Sequence, residues 1–278
     1  MTSMENEFPI SADLSRRIEG IEIEAMNELY TAAKQELGDD FPAAHKMVGS
    51  AWLAQAPTSD VLALNRVVGL GLFEPADEPY VDLVLSDMRK SGAPRFFVQV
   101  SPFALPENLV DLLEARGLTF RNNWVKLIRT EAPVDEVESP FEVKPIDRNH
   151  ADRSAHIAAS SFDWPDWMGR AVAASVGKSR WRYYCAFDKA EPIATGGLYM
   201  SDDLGYISLA ATMTDYRGQG AQQALAARRI NDAISFGCRT IAVETAEDTP
   251  QHSAPSFRNM LRLGFRVAYK RPNYIWEK

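Results

Sequence analysis

The chain has 278 residues, with 38 Asp and Glu against 30 Lys and Arg, a formal net charge of −8 and 46% apolar residues. This is the composition of a soluble globular protein with room for one large domain or two ordinary ones, and its acidic balance argues against general nucleic-acid binding. No apolar run approaches the ~20 residues that cross a bilayer, so no membrane partner is expected.

Taken in chain order, Met1 to Pro9 is expected to be loose. Met1 to Ile10 is polar and acidic, with no basic-then-apolar signal segment, so a cytoplasmic location is the default. Asp13 can cap a helix through Leu14, Ile18, Ile21, Ile23, Met26 and Leu29, whose spacing follows the helical period. Phe41 to Ala54 reads as a second helix, and Val61–Leu64 and Val67–Leu72 as strand-like runs. Pro79 to Lys90 reads as a helix ended by Ser91-Gly92, and Arg95 to Val100 as a strand rich in Phe and Val. Pro106 to Arg116 is a helix stopped by Gly117, and Phe120 to Ile128 an alternating, edge-capable strand. Glu131 to Pro140, with two prolines and four acids, reads as a linker.

Beyond the linker, Phe141 to Ile146 alternates like a strand. Asn149–Ser161 and Met168–Val176 read as helices. Arg182–Phe187 and Ile193–Met200 form a hairpin about Asp188–Pro192. Tyr206 to Met213 is a strand, Gly218 to Phe236 a helix ended by Gly237, and Thr240 to Glu244 a strand. Ser256 to Leu263 is a helix ended by Gly264, and Phe265 to Trp276 a last strand bent or broken at Pro272. Cys185 and Cys238 are too few and too far apart for a disulfide framework or a zinc site, and read as buried free thiols. No metal is expected.

The chemistry concentrates at Tyr216-Arg217-Gly218-Gln219-Gly220-Ala221. A strand leads in, two glycines turn the backbone with no Cβ in the way, and a helix start presents free N–H donors at the positive end of its dipole. Together these make a seat for a phosphate or pyrophosphate. A dinucleotide fingerprint would need glycine at Gln223. A Walker loop ending in Gly177-Lys178-Ser179 would need glycine at Val172. From Thr214 onward there are ten Lys and Arg against six Asp and Glu, a local balance of +4, which suits a ligand with several phosphates.

What remains, Arg-Gly-x-Gly-x after a strand, resembles motif A of the GNAT acyltransferases, where this loop holds the pyrophosphate of acetyl-CoA. Gln222 stands where that pattern has Gly or Ala. The element order from Phe141 is also that of a GNAT domain. The resemblance implies that the backbone of Ala210, Ala211 and Thr212 runs beside the pantetheine arm. It implies too that Gly218, Gln219, Gly220, Ala221, Gln222 and Gln223 take the pyrophosphate, with Arg217 nearby. Motif B of that family carries an Asn and then a Tyr that protonates the departing thiolate. Counted back from Gly264-Phe265, those positions hold Ser253 and Met260. Asn259, Ser256, Tyr269 and Tyr274 are substitutes for the acid, and a thiol also leaves tolerably as thiolate. Glu244, at the end of its strand, is the first choice of base, with His252 as alternative. Trp164, Pro165, Trp167 and Met168 lie where the acceptor-side helices of the family sit.

The two halves echo each other. Ser91–Val100 compares with Phe236–Glu244, and Leu112–Phe120 with Met260–Ala268, each reading helix end, glycine, strand, then helix, glycine, strand. The counterpart of the phosphate loop is Leu72–Glu78, where the glycine pair is missing and Glu74, Asp77 and Glu78 would repel a pyrophosphate. The sequence thus predicts an α/β fold with a mixed sheet in two tandem acyl-CoA N-acyltransferase (GNAT-like) domains. These are residues 1–135, degenerate and without a CoA site, and 141–278, with the acetyl-CoA site. The expected activity is acetyl transfer from acetyl-CoA to the amine of a small molecule or a protein. The alternatives are a non-catalytic CoA-binding or regulatory module and a nucleotide-binding α/β domain. A homodimer is a conceivable assembly, and nothing in the sequence fixes the oligomeric state.

Overall fold

Strands from both halves of the chain join one eleven-stranded sheet, in the order Ala44–Val48, Ala51–Gln55, Arg66–Val68, Arg95–Gln99, Arg266–Glu277, Thr119–Thr130, Thr240–Ala246, Leu204–Thr212, Glu191–Ser201, Trp181–Asp188, Glu142–Ile146. The computed structural model describes residues 8–135, 137–178 and 180–278. Met1 to Glu7, Glu136 of the linker and Ser179 of the rejected Walker ending lie outside the described residues. In the first half, the strands are β1 (Ala44–Val48), β2 (Ala51–Gln55), β3 (Arg66–Val68), β4 (Arg95–Gln99) and β5 (Thr119–Thr130). They are joined with the helices α1 (Ala12–Leu37), α2 (Glu78–Lys90) and α3 (Leu109–Glu114). The second half contributes β6 (Glu142–Ile146), α4 (Ala151–Phe162), α5 (Asp166–Ser175), β7 (Trp181–Asp188), β8 (Glu191–Ser201) and β9 (Leu204–Thr212). It ends with α6 (Ala221–Ser235), β10 (Thr240–Ala246), α7 (Pro255–Arg262) and β11 (Arg266–Glu277).

The internal echo in the sequence is visible in the pairing. β3 runs parallel to β4 as β9 does to β10. Each half then lends its last strand to the other. β5 pairs antiparallel with β10, β11 pairs antiparallel with β4, and β5 and β11 pair with each other at the centre. The halves therefore share one continuous sheet through exchanged strands.

Alternation along the strands sorts the core into faces. Trp52 and Ile128 point into a cluster with α1, α4 and α5. Their neighbours Leu53 and Leu127 point the other way, towards α2 and α3 in one half and α6 and α7 in the other. The linker has no regular structure among its described residues, yet it is fastened. Val134 gives its N–H to Asn231 of α6 and accepts from the same amide, both at 2.9 Å.

Several expectations are corrected. Phe41–Ala54 is not a helix but, from Ala44, the hairpin of β1 and β2. Its turn at Gly49 (φ +54°) is held from afar: Glu74 accepts from the Ser50 N–H at 2.8 Å, and the Tyr80 hydroxyl bonds both sides of the turn. Gly49 is the local mark of this turn, and Glu74, Tyr80 and the pairing of β2 with β3 hold it from a distance. Ser11, not Asp13, caps α1 by accepting from the Leu14 N–H at 3.1 Å. Val61–Leu64 ends in a 3-10 turn over Leu62–Leu64 rather than a strand. β5 is not an edge strand; it lies at the sheet centre. Pro272 does not break β11, which places it opposite Asn123, but the register shifts one residue on, between Asn273 and Tyr274. In the first half, the loop before α2 falls where the repeat places the counterpart of the phosphate loop, with Glu74 already engaged by the β1–β2 turn.

Candidate active site

The site begins where two parallel strands part. β9 and β10 are in register from Thr240 opposite Leu204 to Val243 opposite Ile207, and there the pairing stops. From Ser208 and Glu244 onward the strands diverge, leaving one side of β9 without a β neighbour. On its other side β9 carries a bulge, Leu209 and Ala210 together facing Gly196 of β8. Leu209 has φ +56°, a conformation that an apolar side chain rarely adopts.

The bulge is fixed from beneath. Arg229 of α6 is 1% exposed and donates to the carbonyls of Gly197 at 3.0 Å and Ser208 at 3.2 Å. Gly196 has no side chain because the Arg229 guanidinium fills that space, 2.7 Å from where a Cβ would sit. Among the described residues Arg229 has no carboxylate partner, and burial pushes its pKa down to about 10.

Below the parting lies the glycine loop. Gly218 (φ +77°) and Gly220 (φ +87°) both need the left-handed backbone, and Gly220 leads into α6. Among the described residues, the N–H groups of Gly218, Gln219, Gly220, Ala221, Gln222 and Gln223 have no acceptor, the last four as the orphan donors of a helix start. The Arg217 side chain bonds the Thr212 carbonyl at 3.2 Å, which holds it against the end of β9.

Next to the parting is a cavity of about 560 Å³. Of the sequence-predicted residues, Glu244, Ser256, Ala210, Gln222 and Ser253 line it, as do His252, Trp164, Met168 and Met260. Ala211, Thr212, Arg217, Gly218, Gln219, Gly220, Ala221, Gln223 and Asn259 are outside its wall. Ser256 accepts from Gln222 Nε2 at 2.9 Å, which leaves its own proton free to donate. Asn259 is turned to α6, giving Nδ2–H to Gln222 Oε1 at 2.6 Å and accepting from Gln223. Ser253 accepts from Arg258 at 2.9 Å. Tyr269 is not at the cavity: its hydroxyl donates to buried Glu19. Tyr274 packs in the first-half core. Trp167 packs edge-on to Phe41. Cys185 and Cys238 are buried free thiols, pushed up to about 11 by burial.

Glu244 is the cavity's edge of a buried ionic cluster. Arg271 bonds it directly, and Lys126 and Arg66 lie at 3.3 and 3.8 Å. The same cations hold Glu22 of α1, Arg66 at 2.9, Lys126 at 2.5 and Arg271 at 2.8 Å, while Arg271 also reaches Glu19 at 2.5 Å. Burial alone would raise Glu22, but Arg271, Lys126 and Arg66 outweigh it and hold the carboxyl well below its ordinary value. For Glu244 burial wins: its pKa is raised, with Arg271 opposing and the nearby Glu22 charge reinforcing.

Sequence reasoning missed Glu19, Glu22, Arg66, Lys126, Arg271 and Arg229. One sign was readable: Lys126 and Arg229 interrupt apolar runs, Trp124-Val125-Lys126-Leu127-Ile128 and Ala226-Ala227-Arg228-Arg229-Ile230. It also missed the cavity wall from the first half, made by Tyr30, Trp52, Arg66 and Trp124.

Comparison with known proteins matches residues 149–265 to the acetyltransferase (GNAT) family. A GCN5-related N-acetyltransferase from Kribbella flavida superposes with TM-score 0.58 at 17% identity, covering 90% of this chain and 95% of that one. One from Sphaerobacter thermophilus gives 0.58 at 15% identity, over 87% and 85%. A tandem GNAT protein from the clavulanic acid biosynthesis pathway gives 0.56 at 13% identity, over 76% and 74%. At such identities the likeness is one of fold. Comparison with curated proteins gave no match. No helix among the described residues is long and apolar enough to cross a membrane. Residues 149–265 therefore form a domain of the GNAT acetyltransferase family, in a chain whose shared sheet has the fold of a tandem GNAT protein.

Proposed function

We propose that the chain transfers an acetyl group from acetyl-CoA to a primary amine, with the cofactor held by the second half alone. The observation that carries this reading is the parting of β9 and β10 beside the unpartnered N–H groups of Gly218–Gln223, opening on a cavity that Glu244 lines. The group fits: the donors suit a pyrophosphate, and the unpaired edge of β9 suits an arm with amide groups. Acetyl-CoA supplies the activated acyl thioester.

The residues divide the work. The free edge from Ser208 to Thr212 orients the pantetheine arm, which makes attack a matter of proximity. The Leu209–Ala210 bulge supplies backbone N–H to the oxyanion, in a geometry that Arg229 fixes. Glu244 takes a proton from the ammonium, directly or through a water, and its raised pKa brings it closer to that task. Ser256 donates its free hydroxyl proton toward the departing sulfur, held there by Gln222, which Asn259 orients in turn. The first half, whose loop lacks the glycine pair and commits Glu74 to the β1–β2 turn, binds no CoA.

Thiol release from acetyl-CoA, followed over a panel of amines, tests this reading, with CoA affinity measured by calorimetry. Amine-dependent release supports it. Tight CoA binding without release on any amine would favour the non-catalytic alternative, whose support is Met260 at the position of the family's tyrosine.

A further inference from the structure

The first half contributes a wall to the cavity that acyl transfer itself does not require. Resting on the acetyltransferase reading, we propose that this wall selects the acceptor: a primary monoamine with an aromatic body and a carbonyl-type oxygen, the chemistry of an aromatic amino acid or its amide.

Shape and polarity lead to the aromatic body. Tyr30, Trp52 and Trp124 line the cavity from the first half, and Phe162 and Trp164 close over it from the second. Phe162 and Trp164 are stacked, with centroids 4.7 Å apart and planes at 27°. Tyr30 and Trp52, 2% and 1% exposed, meet edge-on at 5.6 Å and back the wall, so the faces on offer are those of Trp124, Phe162 and Trp164. Flat apolar groups are what such surfaces bind.

Unmade hydrogen bonds lead to the oxygen. Trp52 and Arg66 both line the cavity, and both Trp52 Nε1 and Arg66 Nε are buried donors with no partner. Trp52 is 1% exposed, so its N–H lies behind the cavity wall, and an acceptor oxygen reaches it only by displacing the side chains in front of it. A buried donor without an acceptor is costly, and a ligand oxygen would remove that cost. The two donors come from the neighbouring strands β2 and β3, and each suits a carbonyl or carboxylate oxygen.

Charge excludes polycations. Glu19, Glu22 and Glu244 are already matched by Arg66, Lys126 and Arg271. Arg229 adds a cation at the cavity without a carboxylate. Glu244 is the one carboxylate among the lining residues and is already paired, so an amine is received there by giving it a proton, and a second or third ammonium would find no counter-charge. Polyamines, aminoglycosides and lysine-rich tails are therefore disfavoured.

The test compares phenylalanine amide, phenylalanine, phenethylamine, spermidine, kanamycin and a lysine-rich peptide as acceptors for the full chain. The amide or the amino acid should surpass phenethylamine in kcat/KM by about tenfold or more, the worth of a hydrogen bond to a buried donor. Which of the two leads tells carbonyl from carboxylate. Trp52→Phe, which keeps a ring in the wall and removes the N–H, should erase that advantage by raising KM more for the carbonyl compounds than for phenethylamine. Trp164→Ala, at a half-buried position, should weaken all aromatic acceptors and leave CoA affinity intact. Preference for spermidine, kanamycin or the peptide would overturn the inference while leaving acetyl transfer standing. So would an equal effect of Trp52→Phe on both amine types. If no amine turns over, quenching of tryptophan fluorescence by phenylalanine amide still decides: saturable binding lost in Trp164→Ala supports the pocket chemistry, and no binding refutes it.

Discussion

Glu22 of α1 and Glu244 of β10, at opposite ends of the sequence, each pair with the same three cations, Arg66, Lys126 and Arg271. One carboxylate comes from each half, and both sit where the exchanged strands cross. Glu22→Gln leaves buried cations undercompensated and should cost about 3–5 kcal/mol in urea unfolding. Acid should act in the same direction on the parent protein. The folded-state pKa of Glu22 lies well below the ordinary glutamate value, so its contribution is present above that ordinary value and lost as pH falls through the lower, folded one. A thermal midpoint that falls on acidification, and falls less in Glu22→Gln, would bear this out.

Glu244 has the opposite sign. Its folded-state pKa is raised, so the stability linked to it is present below the ordinary carboxylate range and lost as pH rises through the folded value. Activity should run the other way, because a base must be unprotonated, and kcat/KM should rise with pH through a limb above 4.5. Glu244→Gln should remove that limb and lower kcat by about 10²- to 10⁴-fold with CoA affinity kept. Glu22→Gln should move the limb to lower pH, since Glu22 is one of the groups that raise Glu244. A profile unchanged in both variants would dismiss Glu244 as the base.

Valine at Gly218 or Gly220 meets a backbone that β-branched residues avoid. Either change should reorient the N–H cradle and weaken CoA by about tenfold or more, equivalent to about 1.4 kcal/mol. Gly117 has φ +85° and open space around it, so Gly117→Val provides the matched strain far from the loop. Calorimetry should register lost CoA affinity in the first two variants and none in the third.

Arg229→Leu should leave the carbonyls of Gly197 and Ser208 unpaired, at about 1–3 kcal/mol each. If the bulge supplies the oxyanion donor, kcat should fall with little change in CoA affinity. Equal losses in both would mean that Arg229 serves the fold alone.

The glycine loop, the second-half element order and the internal echo were legible because their signals are local: turn glycines, alternation, helix ends. The β1–β2 hairpin was not, since its turn depends on Glu74 and Tyr80, more than twenty residues on. Glu244 could be singled out on its strand, although the strand runs on to Ala246. Its partners could not, because Glu22, Lys126 and Arg271 converge only once β5 and β11 have crossed between halves. The same crossing hid the role of Trp52 and Tyr30, which belong to one half and line the other half's cavity.

Separating the halves tests the crossing itself. Residues 141–278 alone lack β5 beside β10, and residues 1–135 alone lack β11 beside β4. Each should be poorly soluble alone and should recover a cooperative melt when the two are co-expressed. A well-folded, CoA-binding fragment 141–278 would contradict this.

The crossing also imposes a timetable on synthesis. β5 ends at Thr130, yet neither of its sheet neighbours exists until the ribosome has reached β10 and then β11, beginning at Thr240. At about 5–20 residues per second, that strand waits on the order of ten seconds with both edges open. A nascent chain paused in this window has an adhesive, half-made surface, so slowed translation or scarce chaperones would reduce the yield of active protein well before any mature molecule lost stability.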